Sequence, residues 1–336
     1  MFTELEKAEF HNLLPLLQLI PRDPMLHSVI EGNQTGRIFA DHISNPSAAF
    51  IWSNMEYAYL ISDSPSIGTG IIEIVEETIL PTLDKAGIGF LSIFPYGVSP
   101  ADVQAWFPQR RPVSFGVNSY IFEPQKFEIV RAQANPFPPD FELIKLDGKT
   151  LGREVLQGIR DDILFCWKSL EHFDRLGLGY CIQSQQHGVV CACYAIGYGA
   201  KAYQINIWTN REHRRKGFAR NATIAFLTES LNEGKTIYWI NDAPNIASRR
   251  LAESLGFVYT GDLATVDIPV HPYHFHLSLA EHFSNYLSLP RQAGELYDIA
   301  FSIQAGTPET YRKAALVWRE AGDLIKENIY HQKAAA

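Results

Sequence analysis

Residues 188–268 alternate between two periodicities, and that alternation restricts the fold more than any other feature. Apolar runs at 188–198 and 202–209 read as strands. They are followed by a helical stretch at 220–232, with Ile224, Leu227 and Leu231 on one face and Gly234 as its stop. A strand at 236–241 comes next, then a helix at 244–255, where Ala247, Leu251 and Leu255 lie one turn apart and Gly256 stands just past the end. Short strands at 258–260 and 264–268 close the series. The order strand, strand, helix, strand, helix, strand predicts a mixed α/β domain.

The rest of the chain is punctuated by one clear break. Residues 132–140 (AQANPFPPD) hold prolines 136, 138 and 139 and no apolar period, so they read as an extended linker. At 336 residues two domains are expected, one over 1–131 and one over 141–275. In the first, 48–62 reads as a strand. A helix is predicted over 70–85, where Ile71, Ile74, Val75, Thr78 and Ile79 share a face, with strands at 89–94 and 117–122. Residues 276–336 read as a helical extension, one helix beginning with Ala280, Phe283, Tyr286 and Leu287 and another carrying Tyr311, Ala315, Trp318, Ala321 and Ile325. It either covers the second domain or bears contacts for a partner or a homodimer mate.

Composition excludes several classes. With 46% hydrophobic and 20% charged residues the chain can bury a sizeable core. A net charge of −8 argues against nucleic acid as a partner and suits a cationic one. Cys166, Cys181, Cys191 and Cys193 include no Cys-x-x-Cys pair, and Cys191 and Cys193 fall on one side of a strand, so they read as small buried thiols in a reducing cytosol. The first residues lack a basic start and an apolar h-region, and no apolar run approaches ~18 residues. A soluble cytoplasmic protein without a membrane span is therefore expected.

The segment Arg214-Arg215-Lys216-Gly217-Phe218-Ala219 lies between a strand and a helix. A helix N-terminus offers unpaired N–H groups and the positive end of a dipole, Gly217 permits close approach, Ala219 keeps the start narrow, and three cations add positive potential. This suits a pyrophosphate. It is neither the Walker A loop nor the dinucleotide fingerprint, since neither pattern occurs.

Arg214-x-x-Gly217-x-Ala219, followed by Asn245-x-x-Ser248-x-x-Leu251-x-x-x-Leu255-Gly256-Phe257, resembles the GCN5-related N-acetyltransferase (GNAT) superfamily over about 141–270. A narrower resemblance is carried by Trp167-x-Ser169, Phe173, Gly177-x-Gly179 and Asn241-Asp242-x-x-Asn245-x-Ala247-Ser248-Arg249-Arg250-Leu251-Ala252. These look like the zwittermicin-resistance type of acetyltransferase and the proteins guarding makers of paenilamicin-like and edeine-like cationic peptides. The first half, with its 57–62 strand leading to Ser66–Gly70 and a helix, reads either as a degenerate copy that has lost coenzyme A binding and helps form the substrate cleft, or as an unrelated α/β domain. The fold expected is thus α/β with a mixed sheet, two tandem GNAT-like domains and a C-terminal helical extension.

The resemblance implies acetyl-CoA as co-substrate and no metal. It implies that the 204–209 strand splays from its neighbour, so that pantetheine pairs with backbone near Ile207 and Thr209, and that an N–H near Ile207 or Trp208 polarises the thioester. Arg214, Arg215, Lys216, Gly217, Phe218, Ala219 and Arg220 would hold the pyrophosphate, with Asn245 and Ser248 beside the pantetheine. The family's tyrosine acid aligns with Ala252 and its glutamate base with Gln204, so both are missing. Catalysis would then rest on proximity and oxyanion stabilisation, with Ser248 assisting the thiolate. Asp161 and Asp162 fall near the family's acceptor site, as does Trp167. The two aspartates read as a cationic-amine contact or base, or as a solvated helix face. Asp242 lines the cleft or caps a helix, and Trp208 walls the acceptor pocket or fills core. His271, His274 and His276 have no carboxylate or cysteine at ligand spacing, so no metal site is expected, and a base role for one of them stays open.

The leading function is acetylation of a primary amine on a small cationic natural product, such as a peptide antibiotic, as self-resistance. Acetylation of a polyamine or a peptide N-terminus, and coenzyme binding without catalysis, stay open.

Overall fold

The computed structural model describes residues 2–18, 20, 23–53, 56–131 and 138–335. Most of the predicted linker, residues 132–137, lies outside them. Twelve strands form one mixed sheet. The first six are β1 (Thr3–Glu4), β2 (Arg37–Ala40), β3 (Ala49–Trp52), β4 (Tyr57–Ile61), β5 (Phe90–Tyr96) and β6 (Val113–Phe122). The second six are β7 (Phe141–Lys145), β8 (Gly179–Ser184), β9 (Gly188–Gly199), β10 (Ala202–Thr209), β11 (Thr236–Asp242) and β12 (Phe257–Pro269).

Each set carries its helices at the same places: after its first strand, between its fourth and fifth, and between its fifth and sixth. The two halves thus repeat one order of strands and helices. The strand order, β1-β2-β3-β4-β5-β12-β6-β11-β10-β9-β8-β7, reads the same from both edges once strands are numbered within their repeat. The last strand of each repeat is exchanged: β12 pairs with β5, β6 pairs with β11, and β6 and β12 pair with each other along the centre.

Several predicted boundaries shift. Residues 48–62 form two strands, not one, because the Ser53 N–H and hydroxyl both reach the Tyr57 carbonyl and fold β3 onto β4. Burial of both strands made the aromatic run look continuous. The two short strands after Phe257 are one, with an irregularity between Tyr259 and Gly261 that Gly261, at φ 149°, absorbs. Pro272 opens the helix Pro272–His282 at its first turn, where a missing N–H costs nothing.

The helix Phe218–Asn232 packs on β8, β9, β10 and β11, burying Phe218, Ala222, Phe226 and Leu227 in a core that includes Cys181, Cys191 and Cys193. The helix running from Gly68 to Lys85, with a π-helical turn at Val75–Ile79, buries Ile71, Val75 and Ile79 against β5 and β12. The C-terminal helices Pro272–His282, Pro290–Ile303, Pro308–Glu320 and Leu324–Ala335 build their own core around Trp318 and Tyr297. None of the described helices is long and apolar enough to cross a membrane.

Candidate active site

The basic turn is a sharp, open helix start. Arg215 and Gly217 both adopt positive φ, 63° and 84°, which turns the chain sharply into the helix Phe218–Asn232. The first bond of that helix runs from the Asn221 N–H to the Gly217 carbonyl. The N–H groups of Phe218, Ala219 and Arg220 are therefore left for a ligand. A Cβ on Gly217 would meet nothing within 4 Å, so the space above the turn is open. Arg214, Arg215 and Lys216 are exposed around it. Arg214 donates to the Thr209 carbonyl at 3.3 Å and stacks over Tyr286. Arg220 points elsewhere, to the Ser254 and Val130 carbonyls, and ties the turn to neighbouring chain; only its backbone belongs to the open turn.

Beside this turn the sheet opens. β10 pairs with β11 through Ala202, Tyr203 and Gln204 only, and an irregularity in its β9 pairing falls between Gln204 and Ile205. Beyond Gln204, β10 follows β9 alone. The Asn210 N–H bonds the Val190 carbonyl, which fixes Trp208 and Asn206 as the residues whose backbone faces β9. The backbone groups of Ile207 and Thr209 then face the gap. Of the two N–H groups considered for polarising a thioester, the one that faces the gap is that of Ile207, while the Trp208 N–H is directed at Ala192 of β9. The Trp208 indole packs against the core around Phe218, with its Nε1 buried and without a partner.

Where β10 and β11 part, a cleft of about 720 Å³ opens. Gln204, Asn241 and Asp242 come from the second repeat, Tyr57, Phe90 and Ser92 from the first, and Asp267 from the exchanged strand β12. Its other wall is the C-terminal extension, through His274, Ser278, His282 and Phe283. The extension thus shapes the site as well as covering core. No lysine or arginine lines the cleft among the described residues. Asp267 is 7% exposed and accepts the Ser92 hydroxyl at Oδ1. Burial raises its carboxyl from 3.8 to about 7 against that hydrogen bond, and the charges of Asp242 and Glu56 add to the rise. Burial likewise raises Glu56 and Asp242, the latter opposed by His282, whose Nε2 stands 3.9 Å from Oδ2. Gln204 Oε1 and Asn241 Oδ1 are buried without a hydrogen-bond partner.

The remaining expected residues take structural or indirect places. Asn245 caps the helix Ile246–Ser254 by accepting the Ser248 N–H at 3.0 Å. Ser248 Oγ accepts the Trp239 indole N–H, which leaves its own proton to donate. Asp161 and Asp162 are both exposed, and Asp162 accepts the Tyr194 hydroxyl, which in turn accepts the amide of Asn206, a residue that lines the cleft. Trp167 is 2% exposed and bonds the Ala195 carbonyl, so its side chain is core and offers no surface to a substrate. Asp242 is a cleft residue, with its carboxylate not engaged as a cap. Of the three histidines, His271 pairs with Asp84 and, with His274, lines the cleft, whereas His276 is buried against the Arg111 carbonyl. Among the described residues no three His, Cys, Asp or Glu side chains are grouped to hold a metal.

Sequence reasoning missed Asp267, Ser92 and Glu56. An aspartate inside the apolar strand ATVDIPV was the available signal, because lone acids in buried strands are rare.

The first repeat has no equivalent open turn. β4 and β5 stay paired along all of Tyr57–Ile61. At the matching helix start, a Cβ on Gly68 would meet the Trp106 indole at 2.6 Å and one on Gly70 would meet Phe2 at 2.9 Å. Aromatic rings fill the space that is open above Gly217.

Comparison with known proteins accords with this geometry. The family described as GNAT acetyltransferase matches residues 15–265, a single match crossing both repeats. No curated protein matches the sequence. Among solved structures, a GCN5-related N-acetyltransferase-like protein from Streptococcus suis is 17% identical, with TM-score 0.59, covering 77% of this chain and 98% of its own. A tandem GNAT protein from the clavulanic acid biosynthesis pathway is 11% identical, with TM-score 0.51, covering 81% and 99%. A GCN5-related N-acetyltransferase from Sphaerobacter thermophilus is 13% identical, with TM-score 0.52, covering 81% and 96%. At these identities the neighbours establish the fold, while the family match establishes descent: the chain belongs to the GNAT acetyltransferase family and is an N-acetyltransferase of tandem architecture.

Proposed function

We propose that the protein transfers the acetyl group of acetyl-CoA to a primary amine on a small cationic natural product, as self-resistance to a peptide-like antibiotic. The observation that carries this reading is continuity. An open anion cradle at Gly217 adjoins the unpaired edge of β10, and that edge runs into a cleft with carboxylates and without lysine or arginine. The cradle N–H groups suit a pyrophosphate, with Arg214, Arg215 and Lys216 around it. Ile207 and Thr209 suit a pantetheine that pairs as an added strand. The Ile207 N–H suits the thioester oxygen as negative charge develops on it. Ser248, with its oxygen held by Trp239, is placed by this reading as the donor to the leaving sulfur. The motif shared with zwittermicin-resistance acetyltransferases supports the antibiotic, and the supply of acetyl-CoA supports the cytoplasm as its place of action.

The test is to incubate the protein with acetyl-CoA and a panel of polyamines, peptides and cationic peptide antibiotics, following product mass and free thiol together. A single acetyl added to an antibiotic, and lost in Arg214→Ala, supports the reading. Acetylation of polyamines or peptide N-termini alone would replace the substrate class. Tight acetyl-CoA binding with no acetylated amine would point to a non-catalytic binder.

A further inference from the structure

The cleft floor carries hydrogen-bond acceptors with unused capacity. Asp267 uses Oδ1 for Ser92, which leaves Oδ2 to meet a ligand. Gln204 Oε1 and Asn241 Oδ1, on residues 8% and 7% exposed, have no partner among the described residues. Asp242 adds a second carboxylate, with His282 Nε2 3.9 Å from its Oδ2. Buried acceptors left unpaired cost free energy, and buried carboxylates without a counter-ion cost more. A protein that keeps such a group at the end of an acetyl-donor slot is built for a ligand that brings both the charge and the donors. Phe90, Phe94 and Tyr57 line the same cleft, so the wall beside the acids is aromatic and suits an alkyl stem.

We propose that the floor of the cleft is a binding subsite for a protonated aliphatic primary amine, and that Asp267 is the base that takes its proton. The proposal rests on the N-acetyltransferase reading for its chemistry, but not for the binding. An ammonium bound here donates one proton to Asp267 Oδ2. The freed nitrogen lone pair forms a C–N bond to the thioester carbonyl, and the C–S bond breaks with its electron pair on sulfur. Ser248 gives its proton to that thiolate and regains one from the nitrogen's second N–H, giving amide and thiol, and Asp267 sheds its proton to water. Ser92, from the other repeat, is a positioning residue: it orients the carboxyl and favours its ionised form. The charges acting on Asp267 are those of Asp242 on β11 and Glu56 just before β4, while Tyr57, His271, His274 and His282 line the same cleft. Burial, with the charges of Asp242 and Glu56 added, raises the Asp267 carboxyl to about 7, which matches a base that must work near pH 7.

The probe is 1,4-diaminobutane, with the full chain. Its binding is measured by calorimetry with coenzyme A present, and kcat/KM for its acetylation is measured from pH 5.5 to 9. Wild type is expected to bind the diamine, and kcat/KM to rise through about pH 7 and then level. Asp267→Asn, isosteric and still able to accept from Ser92, is expected to weaken diamine binding at least tenfold, leave acetyl-CoA affinity unchanged, and lower kcat/KM by ~10²-fold or more without the acid limb. Asp242→Asn should weaken binding and keep the limb. Ser92→Ala should move the limb to higher pH, and Ser92→Thr should restore it. Equal diamine affinity in wild type and Asp267→Asn, or no binding by wild type, overturns the subsite. An acid limb that persists in Asp267→Asn overturns the base. Binding that depends on Asp267 without acetylation of any amine would sustain the subsite and remove the transferase reading instead.

Discussion

Ser92 and Asp267 stand directly opposite each other in the β5–β12 register, and the Ser92 hydroxyl donates to Asp267 Oδ1. The two residues belong to different repeats and meet only because β12 is exchanged. Burial of that carboxyl has a cost in the free protein, which the Ser92 hydrogen bond opposes. A carboxyl raised from 3.8 to about 7 keeps a proton that the unfolded chain releases, so stability falls as pH rises across that window and is flat above it. The full loss is on the order of 4 kcal/mol, an upper figure for a buried acid. Asp267→Asn should therefore gain on wild type in urea midpoint between pH 5 and pH 8. Parallel curves for the two proteins would show that Asp267 titrates normally.

The same exchange governs how the chain can be cut. Within 1–131, β6 would lose both of its neighbours, β11 and β12, and β5 would lose β12. Unpaired central strands expose apolar faces and ladder groups together. Residues 1–131 and 141–336 expressed separately should aggregate or lack cooperative unfolding, and should form a soluble complex when co-expressed. Two fragments that each melt cooperatively alone would contradict a sheet held by exchange.

The element order of the second repeat was legible because its helices and strands have clear periods and glycine stops at Gly234 and Gly256. Exchange was not legible: the pattern of 257–269 shows a strand but carries nothing about whether β5 or β11 receives it. The cradle was legible in Gly217 and the basic run, since the chemistry is local. Asp267, Ser92 and His282 meet across β12, β5 and a C-terminal helix, and no local spacing encodes that meeting. Trp167 shows the opposite failure, where a motif position matched by resemblance proves to be packing.

Trp167 gives a direct check on that distinction. Its indole N–H satisfies the Ala195 carbonyl inside the core, with Phe173 edge-on at 5.6 Å. Trp167→Phe removes the donor and leaves the carbonyl unpaired, at a cost of about 1–3 kcal/mol before any cavity is counted. The midpoint of unfolding should fall, while KM for the amine stays unchanged below the new transition. A raised KM with unaltered stability would return Trp167 to the substrate site.

The cradle predicts an effect on the other substrate alone. Gly217 has φ 84°, and its missing Cβ faces open space. Valine there would strain the turn by on the order of 1–3 kcal/mol and put methyl groups where a phosphate approaches. Gly217→Val should raise the Kd for acetyl-CoA about tenfold or more, equivalent to about 1.4 kcal/mol or more. Gly68→Val, in the first repeat, should leave that Kd unchanged and lower stability instead, because the Trp106 indole already fills the space. Isothermal titration with acetyl-CoA, paired with a thermal melt of each variant, separates the two effects. If Gly68→Val weakened acetyl-CoA binding while Gly217→Val did not, the donor site would lie in the first repeat.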